Sequence, residues 1–249
     1  IAAFMSRTDL QEIHAIAEGA EVEFDDLLVL NLFYSLNTSP FACRQFAAWG
    51  KNTTDGQLIH ARNLDWNDYP GDPMKRLLML LNYRGENQYR YLILTWPGFC
   101  AALTGCNESG LTVAYNQLPL EGDLEHISEP TFFTIKRILR TCSTLEQAVK
   151  VFEKALPMDS GSVMISDARQ KKAAVVEIIR GKVGVRFVEN EMIGNANHAT
   201  KEAGIASEFN TQPADSPVCT SAISIGGKFS VAKTKELMAS PEVLQEELN

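Results

Sequence analysis

Apolar residues follow two different periods along this chain, and the change comes near residue 42. Residues 9–20, "DLQEIHAIAEGA", place Leu10, Ile13 and Ile16/Ala17 at helical spacing. Asp25 and Asp26 then open "LLVLNLFY", a second and strongly apolar helix with acids in its first turn, which stops before Pro40. The first forty or so residues therefore read as a helical hairpin. From "CRQFAAWG" onward the period shortens to that of strands. "QLIHARNLDW" follows across the turn sequence "KNTTDG". Further strands are expected at 76–83, 89–96, 99–106 and 111–116, with "CNESGL" as the tight connection between the last two. Helical spacing returns at 130–141 and 145–156, where Ser143 and Glu146 fit a capping box. A second strand cluster, "SVMISD", "AAVVEIIR", "VGVRFVEN" and "MIGNAN", comes next, punctuated by "ARQKK" and "GK". The tail from Phe229 is helical, restarted by Pro241. Runs of strands separated by runs of helices predict an α+β fold, with antiparallel sheets covered by helices.

Composition narrows the function classes. The chain has 249 residues, enough for one large domain or two small ones. Its formal net charge of −8 argues against nucleic acid as the main partner, because phosphate binding needs a basic face. No apolar run approaches the ~18 residues a membrane span requires, and no targeting segment is legible, which leaves the compartment open. Ile1 in place of a methionine leads to the expectation of further chain upstream. Five cysteines (43, 100, 106, 142 and 219) are an odd number at irregular spacing, with no C-x-x-C pair. They read as buried free thiols, one of which is reactive, rather than as a disulfide framework or a metal site.

Candidate chemistry concentrates in the first hairpin. If Gly50 and Gln57 close its turn, Cys43 pairs with Leu64, Gln45 with Arg62, and Ala47 with His60. Side chains alternate between faces, so Cys43, Gln45 and Arg62 share one face at the open end of the hairpin. Asp65 falls on the opposite parity, just past the strand end. An arginine near a thiol favours the thiolate. No histidine stands beside that thiol, since His60 lies too far along the strand. One chemistry needs none: if the chain is cut before Cys43, the new α-amino group serves as base for its own thiol. Such a group has a pKa of about 7.7–8.0, well placed for work at neutral pH. The plainer alternative is a buried thiol beside an ordinary Arg–Asp pair.

"CRQFAAWGKNTTDGQLIHARNLDW" resembles the start of the mature chain in N-terminal-nucleophile amide hydrolases of the choloylglycine hydrolase group. It is closest to the penicillin acyltransferase-like and acid ceramidase-like branches, with their Cys, strand, "DG" turn and R-N-x-D. The preceding "EIHAIAEGAEVEFDDLLVLNLFYSL" resembles their pro-segment, "LTGCNESGLTVAYNQLP" their G-x-N-E-x-G-L stretch and following asparagine, and "NANHAT" their T-N-H motif. The resemblance implies a four-layer αββα sandwich of two antiparallel sheets, with residues 1–42 as a helical pro-segment and 43–249 as the hydrolase domain, matured by self-cleavage at Ala42–Cys43. It implies Cys43 as nucleophile and Arg62 and Asp65 as the residues that hold its amine and thiol. It further implies Asn116 as an oxyanion donor and Asn197 as the later asparagine beside the nucleophile. The implied substrate is a small-molecule acyl amide, with no cofactor, no metal, no nucleic acid and no membrane span, and with room for a homo-oligomer. Acyl transfer to an amine on the same scaffold, and a silent binding protein that kept the fold, are the competing readings.

Other residues carry blander readings. Asn107 reads as a turn residue in "NESG" and Asp55-Gly56 as turn only. Asn116 is also compatible with a strand end, and Asn197-His198 with a loop. His198 as partner of the thiol is a competing dyad. Residues 37–39, 52–54 and 107–109 are glycosylation sequons by pattern. Trp66, Tyr69, the 120–135 loop and Phe132/Phe133 are expected to build an acyl pocket. Three departures from the family stand out: Arg44-Gln45 where relatives carry Ser or Thr, Cys219 where they carry Arg, and an end at Asn249 where they continue with another strand hairpin. Either this sequence is a piece of a longer chain or that strand pair is absent, and a missing pair would leave a sheet edge open.

Overall fold

A computed structural model describes residues 1–36, 42–65, 76–118, 127–179, 181–188, 191–200 and 228–239. Two helices lead, α1 (Arg7–Ala20) and α2 (Phe24–Leu36). The first hairpin is β1 (Ala42–Ala48) and β2 (Ile59–Asp65). Then come β3 (Met79–Tyr83), β4 (Tyr91–Thr95), β5 (Thr104–Asn107) and β6 (Leu111–Gln117). Helices α3 (Thr131–Thr141) and α4 (Leu145–Ala155) precede β7 (Gly161–Asp167), β8 (Lys172–Ile179), β9 (Lys182–Phe187) and β10 (Met192–Asn195). The last described helix is α5 (Val231–Met238).

The strands form two antiparallel sheets. One has the order β10-β1-β2, the other β3-β4-β5-β6-β7-β8-β9. The sheets face each other where β1 meets β6 and β7 and where β10 meets β8. Helices α3 and α4 pack on the outer face of the larger sheet, and α5 on β2 of the smaller. This is the expected αββα sandwich. The central strands are covered on both faces: β7 is buried at every position, as is β1 from Cys43 on.

Strand β1 shows how alternation divides the layers. Phe46 and Ala48 point toward α5, packing with Phe229, Leu237 and Met238. Ala47 and Trp49 point the other way, into the space between the sheets, with Met164, Val175 and Ile193. Cys43 and Gln45 share that inner parity.

Expected and observed elements differ in a few places. Phe99–Leu103 is not strand, and β5 begins at Thr104. The cap of α4 is Thr144 rather than Ser143: Thr144 Oγ1 accepts from Gln147 N at 3.3 Å, and Gln147 Oε1 accepts from Ser143 N at 2.8 Å. The reciprocal pair is thus Thr144/Gln147 with its return bond shifted one residue upstream, and Glu146 instead bonds Lys172. Phe132 and Phe133 are fully buried, Phe132 edge-on to Tyr115 at 4.8 Å and to Phe99 at 6.4 Å, so both belong to the core and not to an acyl pocket. Trp66, Tyr69, residues 119–126, Cys219 and the Pro241 restart lie outside the described residues.

At Gly105 helix α3 packs tightly on the larger sheet. A methyl group there would lie 2.6 Å from Leu139 Cδ1 and 2.6 Å from the Leu92 carbonyl oxygen. The second neighbour is backbone and cannot turn aside. Gly105→Ala is expected to lower unfolding stability by about 1–3 kcal/mol, read from urea denaturation. An unchanged midpoint would mean that α3 sits farther from β5.

Candidate active site

The expected register is observed: Cys43 pairs with Leu64, Gln45 with Arg62 and Ala47 with His60. The hairpin therefore delivers Cys43 and Arg62 to the same inner face, and Arg62 Nη2 lies 3.6 Å from Cys43 Sγ. The same Nη2 donates to the Tyr115 carbonyl at 2.7 Å, which ties the guanidinium to the facing sheet.

Two asparagines distant in sequence close on the same residue. Asn197, just after β10, accepts from the Cys43 backbone N–H through Oδ1 at 2.5 Å and donates through Nδ2 to the Gln117 carbonyl at 2.7 Å. Its segment is held on both sides. The Ala196 carbonyl accepts from Ser162 Oγ at 3.3 Å, and the buried Glu177 carboxylate accepts from Thr200 N at 2.9 Å and Thr200 Oγ1 at 2.7 Å. Asn116, fully buried on β6, donates to the carbonyls of Cys43 (3.3 Å) and Asn195 (3.2 Å). Both of its N–H groups are thus engaged with backbone.

Asp65 is the last residue of β2 and pairs with Ala42. Its parity puts it on the α5 face, yet it still acts electrostatically on the thiol and is itself acted on by Arg44 and Arg62. Burial holds its carboxyl above the usual range, and the two arginines pull it back down. Asn63, between Arg62 and Asp65, donates to the Met238 carbonyl at 2.6 Å and so fixes the end of α5. Arg44 is buried on the same face.

Electrostatics leave the thiol protonated. Cys43 is 1% exposed, and burial pushes its pKa up. Arg62 pulls it down, Asp65 pushes it up, and hydrogen bonds from Asn197 and the Gln117 backbone pull it down, but burial wins. The main groups acting on it among the described residues are Arg62, Asp65, Asn197 and Gln117. The backbone N of Cys43, held by Asn197, is an amide and so not a base. As a free α-amine it would be one. The Gln117 N–H beside Sγ and the buried, unpartnered Arg62 Nε are donors suited to an oxyanion.

Sequence reading put Gln45 on the inner face without a role, set His60 aside as too far along the strand, and missed Ser166 and Gln117. His60 sits opposite Ala47, as expected, but its ring reaches along the sheet: Nδ1 meets Ser166 Oγ at 2.8 Å and Nε2 meets Gln45 Oε1 at 3.1 Å. Asn107 is structural, as expected of a turn residue. It ties the β5–β6 turn to the end of α3, with Oδ1 accepting from Ser109 N and Leu111 N and Nδ2 donating to the Leu139 and Cys142 carbonyls. Cys43, Cys100, Cys106 and Cys142 are free thiols. Among the described residues no cluster of His, Cys, Asp or Glu is arranged to hold a metal, and no helix is long and apolar enough to cross a membrane.

Burial and the neighbouring Arg62 push the His60 pKa down to about 4. An unfolded histidine titrates near 6.5. Because the folded value is the lower one, stability is level above about pH 6.5 and is lost as pH falls from there through about 4. Urea unfolding at about pH 7.5 and about pH 4.5 is expected to show His60→Gln losing less stability across that interval than the parent, by about 2 kcal/mol. Equal losses would mean that the imidazole is as easily protonated in the fold as in water.

Residues 51–217, about two thirds of the chain, match the family described as acyl-coenzyme A:6-aminopenicillanic acid acyl-transferase. The chain is 24% identical over 148 residues to protein dcd1B of Dictyostelium discoideum, covering 59% of this chain and 29% of that protein. It is 22% identical over 165 residues to acid ceramidase of Bos taurus, covering 58% of this chain and 40% of that one. The chain thus spans about a third of the length of the curated relatives it matches. In three dimensions it is similar to the Caenorhabditis elegans N-acylethanolamine-hydrolyzing acid amidase ortholog, with TM-score 0.62 at 17% identity over 82% of this chain and 88% of that chain. A sandwich of this layering, together with a family match over more than half of its residues, means that the chain belongs to the acyl-coenzyme A:6-aminopenicillanic acid acyl-transferase family within the N-terminal-nucleophile hydrolases.

Proposed function

We propose that this protein is a self-processing hydrolase of linear amide bonds, with Cys43 as its nucleophile and the α-amine of Cys43 as its base. The observation that carries the reading is Asn197 Oδ1 on the Cys43 nitrogen at 2.5 Å with the Arg62 guanidinium 3.6 Å from its sulfur. A main-chain nitrogen held by a dedicated side chain next to a buried thiol is what an N-terminal nucleophile requires. Membership in the family and the amide-cleaving relatives support it.

The chemistry runs in two stages. In the uncut chain, Sγ attacks the Ala42 carbonyl carbon, the Ala42–Cys43 C–N bond breaks, and the nitrogen takes up the proton the thiol gives up. Water then splits the resulting thioester, leaving an Ala42 carboxylate, a free thiol and a free α-amine. In turnover, the amine accepts the thiol proton while Sγ attacks the substrate carbonyl. The oxyanion is met by amide donors, and the amine passes the proton to the leaving nitrogen. Water hydrolyses the acyl thioester with the same amine as base, releasing a carboxylic acid. Asp65 and Arg62 orient the amine and the thiol. Asn197 fixes the amine. For Asn116 to serve the oxyanion it must release either the Cys43 or the Asn195 carbonyl.

In this reading residues 1–42 are a pro-segment that stays docked after the cut. Ile13, Ala17, Leu27 and Leu32 belong to the main core, and the Asn31 side chain accepts from Cys100 N at 2.9 Å and donates to the Gly98 carbonyl at 2.8 Å. The substrate class is an N-acyl amide, in line with the acid ceramidase and N-acylethanolamine amidase likenesses. The family's own description favours a second reading, in which an amine rather than water takes the acyl group from Cys43.

A panel of N-acyl 4-nitroanilides, from acetyl to palmitoyl, tests the proposal. Rapid acid quench and mass spectrometry should find the acyl group on the peptide that begins with Cys43. Added primary amine should leave the product as free acid if hydrolysis is right and convert it to a new amide if transfer is. Release of nitroaniline with no acyl mass on Cys43 would contradict both readings.

A further inference from the structure

We infer that Gln45, His60 and Ser166 form a positioning relay that orients the Asn116 amide, and through it Cys43; the inference rests on the reading of Cys43 as nucleophile. The relay crosses between the sheets, from Ser166 on β7 to His60 on β2, Gln45 on β1 and Asn116 on β6. Ser166 Oγ meets His60 Nδ1 at 2.8 Å, and His60 Nε2 meets Gln45 Oε1 at 3.1 Å. Gln45 Nε2 donates to the Ala114 carbonyl at 3.2 Å and to Asn116 Oδ1 at 3.0 Å. Asn116 Nδ2 donates to the Cys43 and Asn195 carbonyls.

Donor and acceptor logic runs in one direction along these contacts. The Ala114 carbonyl can only accept, so the nitrogen of the Gln45 amide must face it and the oxygen must face His60. His60 Nε2 must then carry the hydrogen, leaving Nδ1 to accept from the Ser166 hydroxyl. With Nε2 of Gln45 donating, the oxygen of Asn116 is turned toward it. The Asn116 NH2 is left facing the two backbone carbonyls, one of them that of Cys43. Gln45, Ser166 and Asn116 are each fully buried and His60 partly so, which shields the Gln45–Asn116 bond from water. A flipped Asn116 would set its oxygen against the Cys43 and Asn195 carbonyls and its nitrogen against that of Gln45, leaving several buried groups unpaired, each at a cost of about 1–3 kcal/mol. The relay thereby selects one orientation of the amide nearest the nucleophile's own main chain.

The test uses Gln45→Leu and His60→Phe, which remove the relay while filling its space, and Ser166→Ala, which removes only its outer end. Each is combined with Asn116→Ala in the full-length protein. Active sites are counted by the stoichiometric acyl burst, and kcat is expressed per active site on the most reactive acyl 4-nitroanilide. Gln45→Leu and His60→Phe are expected to lower kcat about 10–100-fold at nearly unchanged KM, in the range usual for groups that orient a reacting residue. Ser166→Ala should have a smaller effect, and His60→Gln, which can still donate to Gln45, should recover part of the loss. The decisive result is non-additivity: Gln45→Leu with Asn116→Ala should be no slower than Asn116→Ala alone. Losses that multiply, or variants whose active-site count falls while kcat per site is unchanged, would overturn the relay and leave only a packing role. A parent protein with no acyl burst on Cys43 would instead overturn the nucleophile reading on which the relay rests.

Discussion

Cys43→Ala is expected to remain one intact chain and to lose turnover by about 10⁴–10⁶-fold, the scale of removing a covalent nucleophile. The fold should be unaffected. Cys43 is a small buried side chain, and its replacement removes one sulfur while the strand pairing of Ala42–Ala48 is untouched. Intact mass, circular dichroism and the nitroanilide assay together separate chemistry from folding. Cys100→Ala is the control. That thiol is also buried, its pKa pushed up to about 12, and it contacts Asn31 rather than the candidate site. It should process and turn over as the parent does. If Cys43→Ala keeps its activity, another residue is the nucleophile.

Lys136→Met carries the second large expected effect. Lys136 on α3 is 1% exposed. Its Nζ lies 2.5 Å from Glu12 Oε2 and 3.6 Å from Asp9 Oδ1, both on α1, and 4.9 Å from the centre of the Tyr83 ring. Tyr83 in turn donates to Glu12 at 2.6 Å, and Arg140 lies 3.7 Å from the same Asp9 oxygen. Removing the lysine leaves the buried Asp9 and the half-buried Glu12 short of their main counter-charge. Breaking such a pair from one side costs about 3–5 kcal/mol, far more than an exposed ion pair contributes. The same cluster joins the proposed pro-segment to the body of the protein. Lys136→Met should therefore lower the urea midpoint and, in cut protein, release residues 1–42 on gel filtration where the parent retains them. Asp9→Asn with Glu12→Gln should restore part of the loss, because the stranded charges go with it. An unfolding free energy within about 0.5 kcal/mol of the parent would mean that water reaches the cluster.

The hairpin was the most legible part of the sequence, and the reason is local. "KNTTDG" allows few turn closures, and once the turn is set the two-residue period assigns every side chain of β1 and β2 to a face. Cys43, Gln45 and Arg62 follow directly. Their partners Asn116 and Asn197 lie 73 and 154 residues from Cys43. Spacing alone says nothing about such contacts, and only the family motifs pointed to them. His60 was passed over because register gives the residue opposite, Ala47, and not the reach of a ring past it to Gln45. Phe132 and Phe133 looked like pocket residues because a pair of aromatics reads the same in sequence whether it lines a cavity or fills a core. The amphipathic face of α3, pressed on β5 and β6, decides for the core. The α4 cap moved by one residue because Ser143 and Thr144 are both good caps and only the backbone distinguishes them.

Gln45 also gives one family departure a physical meaning. Where the resembling family carries a small hydroxyl, this chain carries a long amide that spans from His60 to Asn116. Arg44, the first residue of the same departure, points to the opposite face and lies close enough to act on Asp65.

The central claim is that Cys43 becomes a first residue. Amino-terminal sequencing of the purified protein, after incubation at mildly acidic and neutral pH, tests it without any substrate. The account predicts a new terminus reading Cys-Arg-Gln-Phe in the parent and its absence in Cys43→Ala. A parent chain that stays whole across Ala42–Cys43 under every condition, while hydrolysing acyl amides as well as Cys43→Ala does, would contradict it.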